Sequence, residues 1–338
     1  MATSKTHYKD SSEDSSPSKT AVYRDSAVSL LLSVSCALLS ALAAQFMRLS
    51  SQAGVPGLQL IFLMKLAQLI FYLVVLPIYK PKLTTEDTPQ AMVLFLSAVT
   101  DNLGTIFAFL SFAFVVPGIA FGVIQGSIPF STACVAFIFL KERVGVLDSC
   151  GILCCAAGVI LVAFGMSMDD ESSSRGLTIS ILLPIAAAFT KGPNNVIMRF
   201  LIGVQGVSVL TVMFYAQLLG TVVLLVLTYA FETPRWTMSG RTVGYVIGLC
   251  LCDTFASLFV KLILKVEKAG VVATLLTLVI PFTILLDYPF QSHFPDAMEL
   301  GGITLVVLGT AVAGGRAWWV NRQKMRQKIL LEKMNFSK

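Results

Sequence analysis

Long apolar runs separated by short polar connections set the pattern of this chain. They fall at about 27–47, 58–79, 91–113, 117–139, 146–166, 177–198, 207–230, 242–262, 269–290 and 299–319. A helix rises about 1.5 Å per residue and needs roughly 20 residues to cross about 30 Å of hydrocarbon. Each run meets that length, allowing for tilt. Open sheet edges are not tolerated in hydrocarbon, so each run is predicted to be a transmembrane helix. The most polar connections are Lys80–Gln90 and Ser167–Arg175. Residues 1–25 are rich in Ser, Lys and Asp and read as a disordered tail. Ser11–Ser16, with Glu13 and Asp14, is solvated chain in this reading, with phosphorylation as the alternative. The first apolar stretch begins at Ala27, too late for a cleavable signal peptide. The tail is therefore expected to stay and the first span to act as a signal anchor. Past the last run the chain is basic, with Ile329, Leu330 and Leu331 interspersed. That segment is suited to lie on the inner leaflet.

Charge then orients the spans. With a cytosolic N-terminus, the inner connections and tails hold eighteen Lys and Arg, among them Lys80, Lys82, Lys141, Arg143, Arg199, Lys265 and Lys268. The outer ones hold four: Arg48, Arg175, Arg235 and Arg241. Basic residues favour the cytosolic side, so this bias predicts ten spans with both ends inside. The sequon Asn335-Phe-Ser337 then faces the cytosol and is expected to be unused.

The chain also resembles itself at an offset near 151. Met47-Arg48-Leu49 recurs as Met198-Arg199-Phe200, and Ala67-Gln68-Leu69 as Ala216-Gln217-Leu218. Asp101 recurs as Asp253, Gly118 as Gly270, and Pro129-Phe130 as Pro281-Phe282. Gly151 and Gly158 recur as Gly302 and Gly309. Five spans per copy is an odd number, so the second copy crosses the membrane in the opposite sense. Two inverted repeats, 26–168 and 176–320, flanked by tails at 1–25 and 321–338, follow from this. Many alternating-access transporters have this plan, with the substrate site at the repeat interface. The alternative is an old duplication that now serves a role without transport.

Composition fixes the class. The 338 residues are 56% hydrophobic and 13% charged, against about 25% charged in ordinary soluble domains. A soluble enzyme, a disordered chain and a disulfide-stapled secreted module are excluded. The net charge of +6 lies in the tails and between spans, so it implies no nucleic acid. Cys36, Cys134, Cys150, Cys154, Cys155, Cys250 and Cys252 all sit in apolar runs, and the histidines are His7 and His293. No metal site and no cofactor follow from these. There is no phosphate-binding GxxxxGK[ST], no HExxH and no nucleophile elbow. Asp101 stands in Thr-Asp-Asn-Leu-Gly and Asp253 in Cys-Asp-Thr-Phe-Ala, neither a Gly-x-Gly-Asp setting. No catalytic residue is assigned, and the chain does not read as an enzyme.

Polar groups at bilayer depth are costly and usually line a wet cavity or the bundle interior. The charged candidates for substrate binding or coupling are Lys65, Asp101, Lys191 and Asp253. The neutral ones are Gln68, Gln125, Asn194, Asn195 and Gln217. Asp101 and Asp253 fit proton coupling or orientation of a lysine, with bonding between helices as the alternative. Lys65 and Lys191 fit an anionic solute. Gly192-Pro193, beside Lys191, is expected to interrupt its helix. Lys261 lies near a run end next to Lys265 and reads as snorkelling to the interface. Asp287 lies near the outer end of its run and is expected to meet water. Gly118, Gly122 and Gly126 share one helix face and read as a close-packing seam.

Gly126-Ser127-Ile128-Pro129-Phe130, Lys141-Glu142-Arg143, Gly151 and Gly158-Val159-Ile160-Leu161 together resemble the EamA-type domain of the drug/metabolite transporter superfamily. Val266-Glu267-Lys268-Ala269-Gly270 through Gly301-Gly302 resembles more narrowly the solute carrier 35 family, subfamily G. The resemblance runs over about 26–320. The second half has His293-Phe294-Pro295 where the first has Lys141-Glu142-Arg143. The resemblance implies an all-α integral membrane fold of ten transmembrane helices, arranged as two inverted five-helix repeats. It also implies transport of organic solutes, including nucleotide sugars in better-known branches; the subfamily does not name the solute.

The expected function is secondary transport of a small organic solute, anionic by its lysines, by exchange or by ion or proton coupling. A membrane regulator or scaffold without flux is the alternative. The expected surroundings are a lipid bilayer of the plasma membrane or the Golgi and endoplasmic reticulum, with association into homo-oligomers left open.

Overall fold

The computed structural model describes residues 19–85, 87–140, 146–169, 174–266, 276–291, 296–309 and 311–312. Residues 1–18, Lys141-Glu142-Arg143, Glu267–Gly270, His293-Phe294-Pro295 and the tail after 312 lie outside them. Among the described residues there is helix and no strand. The elements are α1 (Lys19–Gln52), α2 (Gly57–Tyr79), α3 (Thr88–Phe114), α4 (Pro117–Leu140), α5 (Val146–Asp169) and α6 (Ser174–Arg199). A π turn, Phe200–Val204, follows α6, then α7 (Val209–Phe231), α8 (Gly240–Val266), α9 (Val279–Gln291) and α10 (Ala297–Gly309). Helix α1 begins ahead of the apolar run and takes in residues 19–25.

The connections follow from local chemistry. Gly54 has φ +85°, a conformation that disfavours any side chain. It lets the chain reverse within a few residues before Pro56 caps α2. Proline suits a helix start because no N–H is needed there. Pro89 plays that part in the first turn of α3, and Pro117 opens α4.

Five helical segments among the described residues are long and apolar enough to cross a membrane: Leu31–Gln52, Gly57–Tyr79, Thr88–Phe114, Val209–Phe231 and Gly240–Leu264. Their outward faces are apolar. Leu31, Val74, Ile78, Phe95, Val226 and Phe231 are all largely exposed. A belt of this kind suits lipid rather than water. The chain is a multi-pass membrane protein.

Packing joins distant parts of the chain. Helix α1 lies mainly on α8 and also on α9, while α6 lies mainly on α3 and also on α4. Helix α2 packs along α7. Small residues permit the close approaches: Ala37, Ala41 and Ala44 are fully buried on α1. The glycine seam of α4 is core packing, with Gly122 against Ile303 and Gly126 against Val159 and Val306. Helices α5 and α10 meet backbone to backbone. A Cβ on Gly158 would lie 2.5 Å from the Gly302 carbonyl oxygen, and one on Gly309 would lie 2.7 Å from that of Gly151.

Candidate functional site

The site is assembled from residues of α2, α3, α6, α7 and α8, with Lys191, Asn194 and Lys261 in the C-terminal halves of α6 and α8. Lys65 and Gln68 are three residues apart on α2, hence on one face. Asp101 and Asn102 are carried by α3, Lys191 and Asn194 by α6, Gln217 by α7, and Asp253 and Lys261 by α8. Lys65, Gln68, Asp101, Asn194, Gln217 and Lys261 are buried.

Asp101 is the hub. Lys261 Nζ donates to its Oδ1 at 3.2 Å, and Lys65 Nζ lies 3.6 Å from Oδ2. Asn194 Nδ2 also donates to Oδ1, at 3.1 Å. Asn194 is itself oriented, because its Oδ1 accepts from Ser97 Oγ at 3.2 Å and from Thr100 Oγ1 at 3.0 Å. One carboxylate thus ties α2, α6 and α8 to α3. Asp253 accepts a short hydrogen bond from Gln68 Nε2 and lies within electrostatic reach of Lys65, Lys191 and Lys261. Asn102 Nδ2 donates to the Ala98 and Ala216 carbonyls, both at 2.8 Å. Gly220 leaves room on α7 for its side chain.

Lys191 differs from the other two lysines. It makes no salt bridge and no hydrogen bond among the described residues, although Asp253 and Asp101 influence it at longer range. Its chain packs over Gly104 of α3. With all five groups ionised, three lysines face two aspartates, which leaves one net positive charge in a low-dielectric setting. Chemically, Lys191 offers an ammonium that is not already bonded among the described residues. Gln68 Oε1, Asn102 Oδ1 and Gln217 Oε1 are buried with no hydrogen-bond partner among the described residues. Unpartnered buried acceptors of this kind call for a donor from a ligand or water.

The structure brings Lys65, Gln68, Asp101, Lys191, Asn194 and Asp253 together. Gln217 is buried on the adjoining α7, which also receives Asn102. Gln125 is buried on α4 with an unpartnered Oε1, and no bond links it to the cluster among the described residues. Asn195 is half-buried and takes no part in these bonds.

Three expectations are corrected. Lys261 does not snorkel; it is buried and bonded to Asp101, a partner 160 residues away that no local pattern reveals. Asp287 does not meet water; it is buried, accepting from Gln45 Nε2 and from the Gly118 N–H. Helix α6 is not interrupted at Gly192-Pro193, since it runs to Arg199. Pro193 only removes the N–H that would have bonded to the Phe189 carbonyl.

A second set of contacts pins α2 to α7 at both ends. Glu232, just past α7, accepts from the Leu58 and Gln59 N–H groups at the start of α2. The Gln59 side-chain amide exchanges two hydrogen bonds of 2.8 Å with the Arg235 backbone. At the other end, Thr211 and Tyr215 donate to the Lys82 and Leu83 carbonyls.

Comparison with known proteins adds a family. The chain is 27% identical over 259 residues to solute carrier family 35 member G1 of Mus musculus, covering 73% of this chain and 68% of that protein. It is 26% identical over 203 residues to the Homo sapiens protein of the same name, covering 58% of this chain and 55% of that protein. The chain is thus similar to members of the solute carrier 35 family. The subfamily G resemblance read from Val266–Gly302 is thereby met by proteins named for that subfamily. No family model matches the chain, so the broader EamA label rests on the motifs alone. A solved crystal structure matches the chain with a TM-score of 0.62 at 16% identity, covering 87% of this chain and 99% of the other. At that identity the match shows the fold alone.

Proposed function

We propose that this solute carrier 35 relative is a secondary transporter that carries a small organic anion by alternating access. It acts without covalent chemistry, through ten spans arranged as two inverted five-helix repeats with both termini cytosolic. The observation that carries the substrate class is the unpaired Lys191 beside a cluster that already holds two lysines and two aspartates. An anion would complete the charge balance there. A cation would add to an existing surplus.

Several contacts support the repeat. Exchanging the first five helices for the second five turns the α1–α8 pairing into α6–α3, and the α1–α9 pairing into α6–α4. It also turns the Gly158–Gly302 approach into Gly309–Gly151. Cys155 Sγ contacts the Val306 carbonyl at 3.7 Å across a separation of 151 residues, as expected for two residues astride the relating axis. The site lies between groups from both halves, where inverted-repeat transporters bind substrate. The relatives named as solute carriers favour transport over a scaffold role.

Solute competition tests the substrate class. Pure protein, wild type and Lys191→Ala, is screened for thermal stabilisation by organic anions, neutral solutes and cations. Stabilisation of the wild type by anions, lost in Lys191→Ala, supports the reading. Stabilisation only by cations or neutral solutes overturns it.

A further inference from the structure

The ends of α1 and α6 repeat one another in more than sequence. Met47 and Met198 are both fully buried. Each is followed by an arginine, and each helix end is followed by a glycine of positive φ, Gly54 at +85° and Gly206 at +69°. Arg48 Nη1 donates to the Ala113 carbonyl at 2.5 Å. Arg199 Nη1 donates to the Leu264 carbonyl at 2.8 Å. Each bond spans 65 residues, so one shift of 151 carries both ends of the first bond onto the second.

The acceptors are of one kind. Ala113 lies in the last turn of α3 and Leu264 in the last turn of α8. Carbonyls there lack a partner within the helix and carry the negative end of its dipole. The residue four beyond Ala113 is Pro117, which has no N–H to offer. A guanidinium is suited to such an end, since it cannot lose its charge and has several donors. Arg48 Nε is buried with no partner among the described residues, which leaves it a further donor there.

The packing gives these bonds a mechanical meaning. Helix α1 is joined chiefly to α8 and α9, and α6 chiefly to α3 and α4. We group these as two units, α1–α8–α9 and α6–α3–α4, which also meet directly through α4 on α9 and α1 on α3. Arg48 reaches from the first unit to the second, and Arg199 from the second to the first. The ion cluster lies between them, since Lys261 of one unit bonds Asp101 of the other. In the ten-span arrangement, on which this inference rests, Arg48 is at the outer end and Arg199 at the inner end.

We propose that Arg48 and Arg199 are reciprocal clamps: Arg48 closes the two units at the outer end, Arg199 at the inner end, and release of one opens the site to that side. Both bonds are made in this structure, so both ends are held shut around the cluster. They are positioning residues, since the bonds described for them go to helix-end carbonyls and act on the site only through the helices they join.

Reciprocity is what the test must read. A reporter cysteine replaces Ser257, which is half-buried and one turn beyond Asp253, in full-length protein whose seven native cysteines are replaced. Impermeant thiol reagent is added from either side of oriented proteoliposomes. Arg48→Gln is expected to raise outside labelling and lower inside labelling. Arg199→Gln should do the opposite, and the double variant should return towards the parent. The ratio should move roughly tenfold in each direction, as when a charged hydrogen bond is lost from one state of a two-state equilibrium. Shifts in the same direction, or none, overturn the proposal, because simple loosening would not produce opposite signs. If a glutamine variant does not fold, Arg48→Lys and Arg199→Lys must give the same pattern at smaller size. Cysteines at Ala53 and Gln205 in the parent separate the two ideas. Labelling from the same side refutes the inverted arrangement and the clamps with it. Labelling from opposite sides without reciprocal shifts refutes the clamps alone.

Discussion

Asp101 accepts hydrogen bonds from Lys261 and Asn194 and is ion-paired with Lys65 at 3.6 Å. Converting it to asparagine leaves two ammonium groups buried without their counter-charge. Breaking a buried ion pair from one side costs about 3–5 kcal/mol. Asp101→Asn is therefore expected to lower the melting temperature of the pure protein as well as its transport. Lys191 has no such bond to lose. Lys191→Ala should leave the melting temperature close to wild type and weaken apparent affinity for the anion about tenfold, the effect of one charged contact. Thermal unfolding and uptake kinetics on the same preparations separate the two residues. If Lys191→Ala unfolds as readily as Asp101→Asn, its role is structural. Lys65, Asp101, Lys191 and Asp253 were legible in the sequence because a charge in an apolar run has few explanations. Lys261 was not. It sits near a run end, and only tertiary packing brings it to Asp101. Asp287 was missed for the same reason, since its donors are Gln45 and Gly118 from other helices.

At the scale of elements, glycines decide how closely helices approach. A Cβ on Gly158 would lie 2.5 Å from a backbone oxygen and 2.9 Å from Val306, which leaves no flexible neighbour to yield. Gly158→Val should cost at least about 2 kcal/mol, at the upper end of ordinary overpacking penalties. Gly244 has nothing within 4 Å of its Cβ position. Gly244→Ala should be neutral or stabilising by up to about 1 kcal/mol, through helix propensity alone. Thermal unfolding of both variants checks the contrast, and equal losses would contradict the α5–α10 contact. Glu232 offers a second test at this scale. It caps α2 from the end of α7, so Glu232→Ala should cost about 1 kcal/mol. The helices themselves were readable from run length, and Gly158 and Gly302 from their spacing. Which helix each would meet was not readable, because spacing defines a face and not its partner. The uninterrupted α6 shows the same limit. Pro193 withdraws one donor, and packing on α3 and α4 holds the helix straight past it.

At the scale of the molecule, charge and repetition carried the sequence reading furthest. Eighteen basic residues against four orient the chain only if the spans alternate as proposed. The structure adds what no linear pattern holds: a cluster whose members come from α2, α3, α6 and α8, with three lysines facing two aspartates and, among the described residues, one lysine without a salt bridge or hydrogen bond. On the proposed function, this cluster binds an organic anion and delivers it across the bilayer. Counterflow into liposomes containing the pure protein tests it most directly. Vesicles are loaded with an unlabelled organic anion, and entry of the labelled anion is followed. Saturable, transient accumulation above protein-free vesicles is expected, strongly reduced by Lys191→Ala in protein that remains folded. Folded wild-type protein that gives no flux above protein-free vesicles for any anion, or flux blocked only by cations and neutral solutes, would contradict it.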